Sequence, residues 1–173
     1  PSATRAEGTI TLQQGSSGYA GCDATQIYLY APATNYCNLD LLKVGERQRY
    51  ASLLRFDVSS IPADAVVTSA SLQLYAAGWG GENMGINVYE VIRPVSLCQT
   101  NWNEAQTGNN WGLTGCNGTT DHVSTALATL TTTGVSQWYS LNATSLVQGW
   151  VDGSHPNQGV VLHQAYPLTL ATY

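Results

Sequence analysis

The sequence predicts an all-β domain, a sandwich or barrel of about ten short antiparallel strands with one short helix near the C-terminus. Three observations carry that expectation. Apolar and polar residues alternate with period two along most of the chain, which turns one side of each segment toward a core. Gly, Asn and Pro punctuate these segments at short, regular intervals. Only residues 142–156 break the alternation, with apolar residues three and four apart.

The alternating segments follow in order. "GTITLQQG" (8–15) places Ile10 and Leu12 on one face and Thr9 and Thr11 on the other. "QIYLY" (26–30) and "DLLKVG" (40–45) flank the loop "APATNYCNL". "YASLLRFDV" (50–58) sets Ser52, Leu54, Phe56 and Val58 against Leu53, Arg55 and Asp57. "SSIPADA" is a turn, because Pro62 has no N–H to give a ladder. "VVTSASLQLYA" (66–76) turns Ala70, Leu72 and Leu74 inward and Ser71, Gln73 and Tyr75 outward. "GINVYEVI" (85–92), "STALATLTT" (124–132), "SQWYSLN" (136–142), "GVVLHQ" (159–164) and "PLTLATY" (167–173) complete the set.

The helix is read from "NATSLVQGWVDGSHP" (142–156), where Leu146, Val147, Trp150 and Val151 form one stripe. Asn142 or Thr144 serves as its N-cap, Gly153 stops it, and Pro156 forbids continuation. The stripe makes Trp150 a core residue, and the start of a strand does the same for Trp138.

At 173 residues the chain fits one domain, one that buries roughly 70% of its unfolded surface. We place it at residues 9–173, behind an N-terminal arm, "PSATRAEG" (1–8). The net charge is −5, and only 10% of residues are charged against about 25% in an average domain. Six scattered cations build no basic groove, which argues against nucleic acid. No apolar run approaches the length of a membrane span. The start at Pro-Ser-Ala-Thr predicts a mature secreted product with its leader removed.

Cys22, Cys37, Cys98 and Cys116 form no CxxC and stand at no finger-like spacing from a histidine pair. They predict disulfides and an oxidising compartment. The local pairing Cys22–Cys37 and Cys98–Cys116 is expected, since each pair brackets a loop rich in Gly, Asn and Thr. Each such closure would contribute roughly 3 kcal/mol in the chain-entropy model.

Catalysis has no signature here. Arg55 and Asp57 are two apart on one strand face, and Asp57 opens a turn at Ser59 and Ser60 whose N–H groups its carboxylate accepts, which is a scaffold role. His122, His155 and His163 fall in three segments, and neither GxSxG nor HExxH is present. No pair among the eleven acids is singled out for glycoside hydrolysis. We expect no enzyme and no cofactor, with Asp23 and Asp40 as weak calcium candidates.

Binding residues are sought among the loop tryptophans. Trp79 in "AGWGGEN", Trp102 in "TNWNEA" and Trp111 in "NNWGLT" have the flat faces on which sugar rings stack, with Asn, Gln and Glu nearby for hydroxyls. Pinning of long loops to the sandwich is the competing role. "NGT" (117–119) and "NAT" (142–144) are glycosylation sequons. Asn117, in a Gly-rich loop, is the favoured acceptor, and Asn142 is expected to be shielded at the helix start.

The segments "LLKVG" (41–45), "SLLRFDVSSIPADAVVTSASLQLY" (52–75), "NVYEVIRP" (87–94), "TNWN" (100–103) and "WYSLNATSLVQGWVDGSHPNQGVVLH" (138–163) resemble the DNRLRE domain family, which includes secreted carbohydrate-binding modules. The resemblance implies a non-catalytic, exported β-sandwich of jelly-roll type. Departures are "VSLC" (95–98), where a tryptophan and an acid usually follow, Asn142 in place of Asp, and the short connection "HQAYP".

Two functions compete. The first is an extracellular structural subunit that assembles into a filament or surface layer, with the arm 1–8 packing on or donating a strand to a neighbour. Its support is a weakly charged surface with a single lysine, Lys43, to guard strand edges. The alternative is a module that binds a neutral polysaccharide, because the acidic balance repels polyanions.

Overall fold

The protein is described by a computed structural model that covers residues 7–37 and 39–173. Most of the expected arm therefore lies outside the described residues. The chain runs β1 (Cys22–Tyr28), β2 (Tyr50–Phe56), β3 (Ser71–Ala76), β4 (Met84–Glu90), β5 (Glu104–Gln106), β6 (Asn109–Asn110), β7 (Ala128–Thr132), β8 (Gln137–Asn142), α1 (Thr144–Asp152) and β9 (Val160–Gln164). The fold is all-β with one short helix, as the periodicity indicates.

Five strands form one antiparallel sheet in the order β1-β2-β9-β4-β7, and β3 pairs with β8 in a separate two-stranded sheet. A short irregular hairpin joins β5 to β6. The central position of β9 explains its sequence. Leu53 and Tyr89 lie opposite Val161, and Ser52 and Val88 lie opposite Leu162.

The large sheet is covered on both faces, and its two sides feed two cores. Val161 joins Ile27, Leu53, Leu97, Trp102 and Trp111 on one side. Val160 and Leu162 join Ile86, Val88, Leu141 and Leu146 on the other. All five residues of β9 are consequently buried, which is why "VVLHQ" does not alternate. Each fully buried Val or Leu contributes roughly 1.5–3 kcal/mol of transfer free energy. Ala51, Ser52 and Leu53 are likewise buried in succession, so β2 lacks the two-sided division its pattern suggested.

The small sheet keeps a strict alternation, with Leu72 and Leu74 turned inward and Ser71, Gln73 and Tyr75 exposed. Helix α1 buries Leu146 and Val151 beside it and ends at Gly153, which takes the left-handed conformation at φ 75°. Ala143 occupies the cap position. Asn142 Oδ1 accepts the Thr144 N–H at 2.8 Å, while the Thr144 hydroxyl accepts from Ala70 N at 3.0 Å. Both expected cap residues therefore serve the junction without either being the cap.

The terminal strands are corrected. "GTITLQQG" is irregular throughout, and "DLLKVG" and "PLTLATY" contribute isolated bridges only. At the C-terminus the chain is instead held by the turn after residue 44. Gly45, Glu46, Arg47 and Gln48 all have positive φ. That left-handed run directs N–H groups sideways, so Glu46 donates to Ala171 O at 2.7 Å and Arg47 to Thr169 O at 3.0 Å. Val44 and Tyr173 exchange two further bonds, at 2.6 and 2.9 Å.

Candidate functional site

The connection from β4 to β7 carries most of the polar chemistry, and Asp121 organises it. The Asp121 side chain is fully buried. It accepts N–H bonds from Gly112 at 2.7 Å, Gly118 at 2.9 Å and Leu113 at 3.0 Å, and pairs with Arg93 Nε at 2.5 Å. Burial pushes its pKa up, but the N–H groups of Leu113 and Gly112, the Arg93 guanidinium and the Gly118 N–H outweigh that and hold it below the ordinary range. The carboxylate is a structural hub, closed off from any substrate.

Trp102 and Trp111 lie under this layer, about 5% exposed, and Trp111 Nε1 donates to Asn101 O at 2.9 Å. They are core residues that pin their loops to the sheet, rather than sugar-stacking surfaces. Trp79 stands apart, 43% exposed, with Nε1 on Glu82 O at 2.8 Å. The structure thus does not assemble the three loop tryptophans into an exposed platform. Trp111 does touch an open groove of about 460 Å³, whose rim carries Asn101, Asn103, Glu104 and Asn110. Glu104 is spent on the loop itself, accepting from Asn101 Nδ2 and Gly108 N, both at 3.1 Å.

Two of the three histidines come together. The rings of His122 and His163 are 5.9 Å apart, and Tyr89 lies 4.4 Å from the first and 6.2 Å from the second. His163 is buried, and its Nε2 is 3.2 Å from Cys116 O. Burial, then the neighbouring His122, depresses its pKa to about 4, so it stays neutral at ordinary pH. The adjacent Cys116 thiol is buried and its pKa is pushed well up, first by desolvation, which leaves it inert as a nucleophile. His155 lies elsewhere, 3.2 Å from Glu90.

The disulfide is corrected. Cys37 bonds to Cys98 across 61 positions, and Cys22 and Cys116 are free. The bridge forms between loops rather than within them because Asn35 fastens the first loop to the second. Its Nδ2 donates to Leu97 O at 3.0 Å and to Thr100 O at 2.5 Å.

Asp23, the partner of Arg55 in the β1–β2 register, forms an ion pair with it at 2.6 Å, and Asp57 accepts the Ser59 N–H at 2.8 Å. Arg55 therefore pairs across the strands rather than with Asp57. Asp40 is exposed, and no three of His, Cys, Asp and Glu come together among the described residues. The sequons reverse in accessibility. Asn142 is exposed, whereas Asn117 is half-buried with its Nδ2 on Thr114 O at 3.0 Å.

One feature escaped the sequence. Trp138, expected in the core, is 60% exposed on the outer face of the small sheet. It sits opposite Tyr75, itself 50% exposed, with ring centroids 5.2 Å apart. The strict alternation of β3 placed Tyr75 outward, and reading the partner strand in register would have placed Trp138 with it. Such a cross-strand aromatic pair is worth roughly 0.2–1 kcal/mol.

Comparison with known families replaces the resemblance drawn from motifs. A family model described as TGF-beta propeptide matches residues 33–169, most of the chain, and it is a different family from the DNRLRE domains. Alternating strands are a fold-level trait, which does not discriminate between β-sheet families. The match identifies a secreted, extracellular region and supports a non-catalytic role. Among the described residues no helix is long and apolar enough to cross a membrane.

Proposed function

The chain belongs to the TGF-beta propeptide family, and from that premise we propose that it is a secreted, non-catalytic structural domain that works by associating with further copies of itself through open sheet edges. The carrying observation is the chemistry of those edges. Among the described residues β7 pairs only with β4, and β3 and β8 only with each other; β1 also ends a sheet, but its Thr25, Gln26 and Ile27 are buried, so its margin is covered. "SLQLYA", "ATLTT" and "QWYSLN" contain neither a charged residue nor a proline. Soluble sheets blunt such edges with Lys or Pro, because bare N–H and C=O groups invite another strand.

β7 ends the five-stranded sheet, and β3 and β8 form the separate two-stranded one. A copy whose β7 meets the β3 of the next makes a head-to-tail contact, and a filament is the product where the rotation does not close. Neither β3 nor β7 carries a charged residue. No charge on the pairing strands themselves therefore opposes the approach.

The test is negative-stain microscopy with size-exclusion light scattering on the whole chain and on a Thr129→Lys/Thr131→Lys variant. Both positions are exposed on β7. Polymers in the parent and folded monomers in the variant are expected. A parent that stays monomeric as concentration rises overturns the reading, as do identical polymers in the variant.

A further inference from the structure

We propose that the outer face of the β3–β8 sheet is a binding strip for a neutral glycan, with Tyr75 and Trp138 as its stacking surface. The strip is laid out by register. Tyr75 faces Trp138, Gln73 faces Ser140 and Ser71 faces Asn142, and all six residues are exposed. Two tilted rings at one end, 58° to each other, give way to a row of amides and hydroxyls.

That composition selects its ligand. A sugar ring has an apolar C–H face and a hydroxyl rim, so it needs a flat aromatic surface and uncharged hydrogen-bonding groups beside it. Neither strand carries a charged residue, so nothing on them would hold a phosphate, sulfate or carboxylate. The apolar area is confined to two rings, far from the continuous patch a hydrophobic protein partner requires. Nor does the core need these rings outside: Leu72, Leu74, Tyr139 and Leu141 already fill the inner face.

The strip is independent of edge pairing, since it uses side chains normal to the sheet rather than backbone along its margin. It also differs from the loop tryptophans, two of which are buried.

Calorimetry and tryptophan fluorescence against neutral hexasaccharides of β-linked glucose, mannose and xylose test it. Binding by the parent, lost at least tenfold in both Tyr75→Ala and Trp138→Ala and weakened severalfold in Gln73→Ala, is the expected result. Gln73→Ala separates recognition from folding, because its exposed amide supports no packing. Absence of binding to every neutral hexasaccharide overturns the proposal. So does binding that survives Tyr75→Ala and Trp138→Ala, or binding confined to uronate hexasaccharides.

Discussion

Arg93 donates Nε to Asp121 Oδ1 at 2.5 Å, and the carboxylate it meets is fully sealed from solvent. Three backbone N–H groups converge on the same side chain, so this pair fixes the loop layer over the large sheet. Replacing Asp121 by Ala leaves Arg93 unmatched and orphans three donors. We expect a loss on the order of 3–5 kcal/mol in urea unfolding. A loss below about 1 kcal/mol would show that the layer stands without it. The folded pKa is depressed, so the contribution is present above the ordinary carboxylate range and disappears as pH falls through it toward the folded value.

His163 predicts a second acid sensitivity in a higher window. Its folded pKa, about 4, lies below the ordinary histidine value, so the unfolded chain takes up the proton first. Stability therefore falls as pH drops from ~6.5 toward 4, with a limiting slope of ~1.4 kcal/mol per unit. The groups facing the ring are His122, Tyr89 and the Cys116 carbonyl. Denaturant midpoints for a His163→Gln variant should lose most of this slope between pH 6 and pH 4 (roughly the window above) while keeping the steeper carboxylate loss below it. Parallel pH profiles for parent and variant would remove His163 as the cause.

The bridge between Cys37 and Cys98 closes a loop with a sequence separation of 61, much longer than either local pairing expected from spacing. In the chain-entropy model its removal costs about 4 kcal/mol. Thermal unfolding of a Cys37→Ala/Cys98→Ala double variant should show that loss, and Cys22→Ala should show little. Peptide mapping without reduction should recover residues 37 and 98 in one linked fragment. Recovery of Cys22 linked to Cys37 would refute the assignment.

Why some of this was legible and some was not follows from what each residue answers to. β3 reads correctly from sequence because one face is wet and one dry, so Leu72 and Leu74 alternate with Gln73 and Tyr75. β9 carries no alternation because both its faces are dry, and only its place between β2 and β4 explains that. Trp102 and Trp111 sit in loop-like sequence, yet they are core, since the layer that covers the large sheet is built mainly of loops. Local composition carries no record of which loop meets which. Asn35 reaching Leu97 and Thr100 decides the disulfide, over a separation no local pattern spans. The His122–His163 neighbourhood was hidden for the same reason.

Gly159 offers the sharpest test of the packing at the start of β9. Its φ is +84°, and a Cβ there would run into the Leu54 carbonyl oxygen, with Leu54 C and Arg55 Cβ at 3.0 Å. Neither obstacle is the free end of a flexible side chain, so neither can swing away. The residue is also pinned in place: its carbonyl accepts from Val91 N at 3.0 Å, and Asn157 holds its N–H at 3.2 Å. Asn157 in turn donates to Phe56 O at 2.8 Å, which wedges this turn against the end of β2. Gly159→Ala combines a left-handed backbone penalty with overpacking, for a loss on the order of 2–4 kcal/mol. Gly153→Ala is the control, because Gly153 has a similar φ, +75°, but open space around its Cβ position. It should lose only about 1–2 kcal/mol. Equal losses in the two variants would mean that backbone conformation alone sets the cost and that the Leu54 carbonyl adds nothing to it.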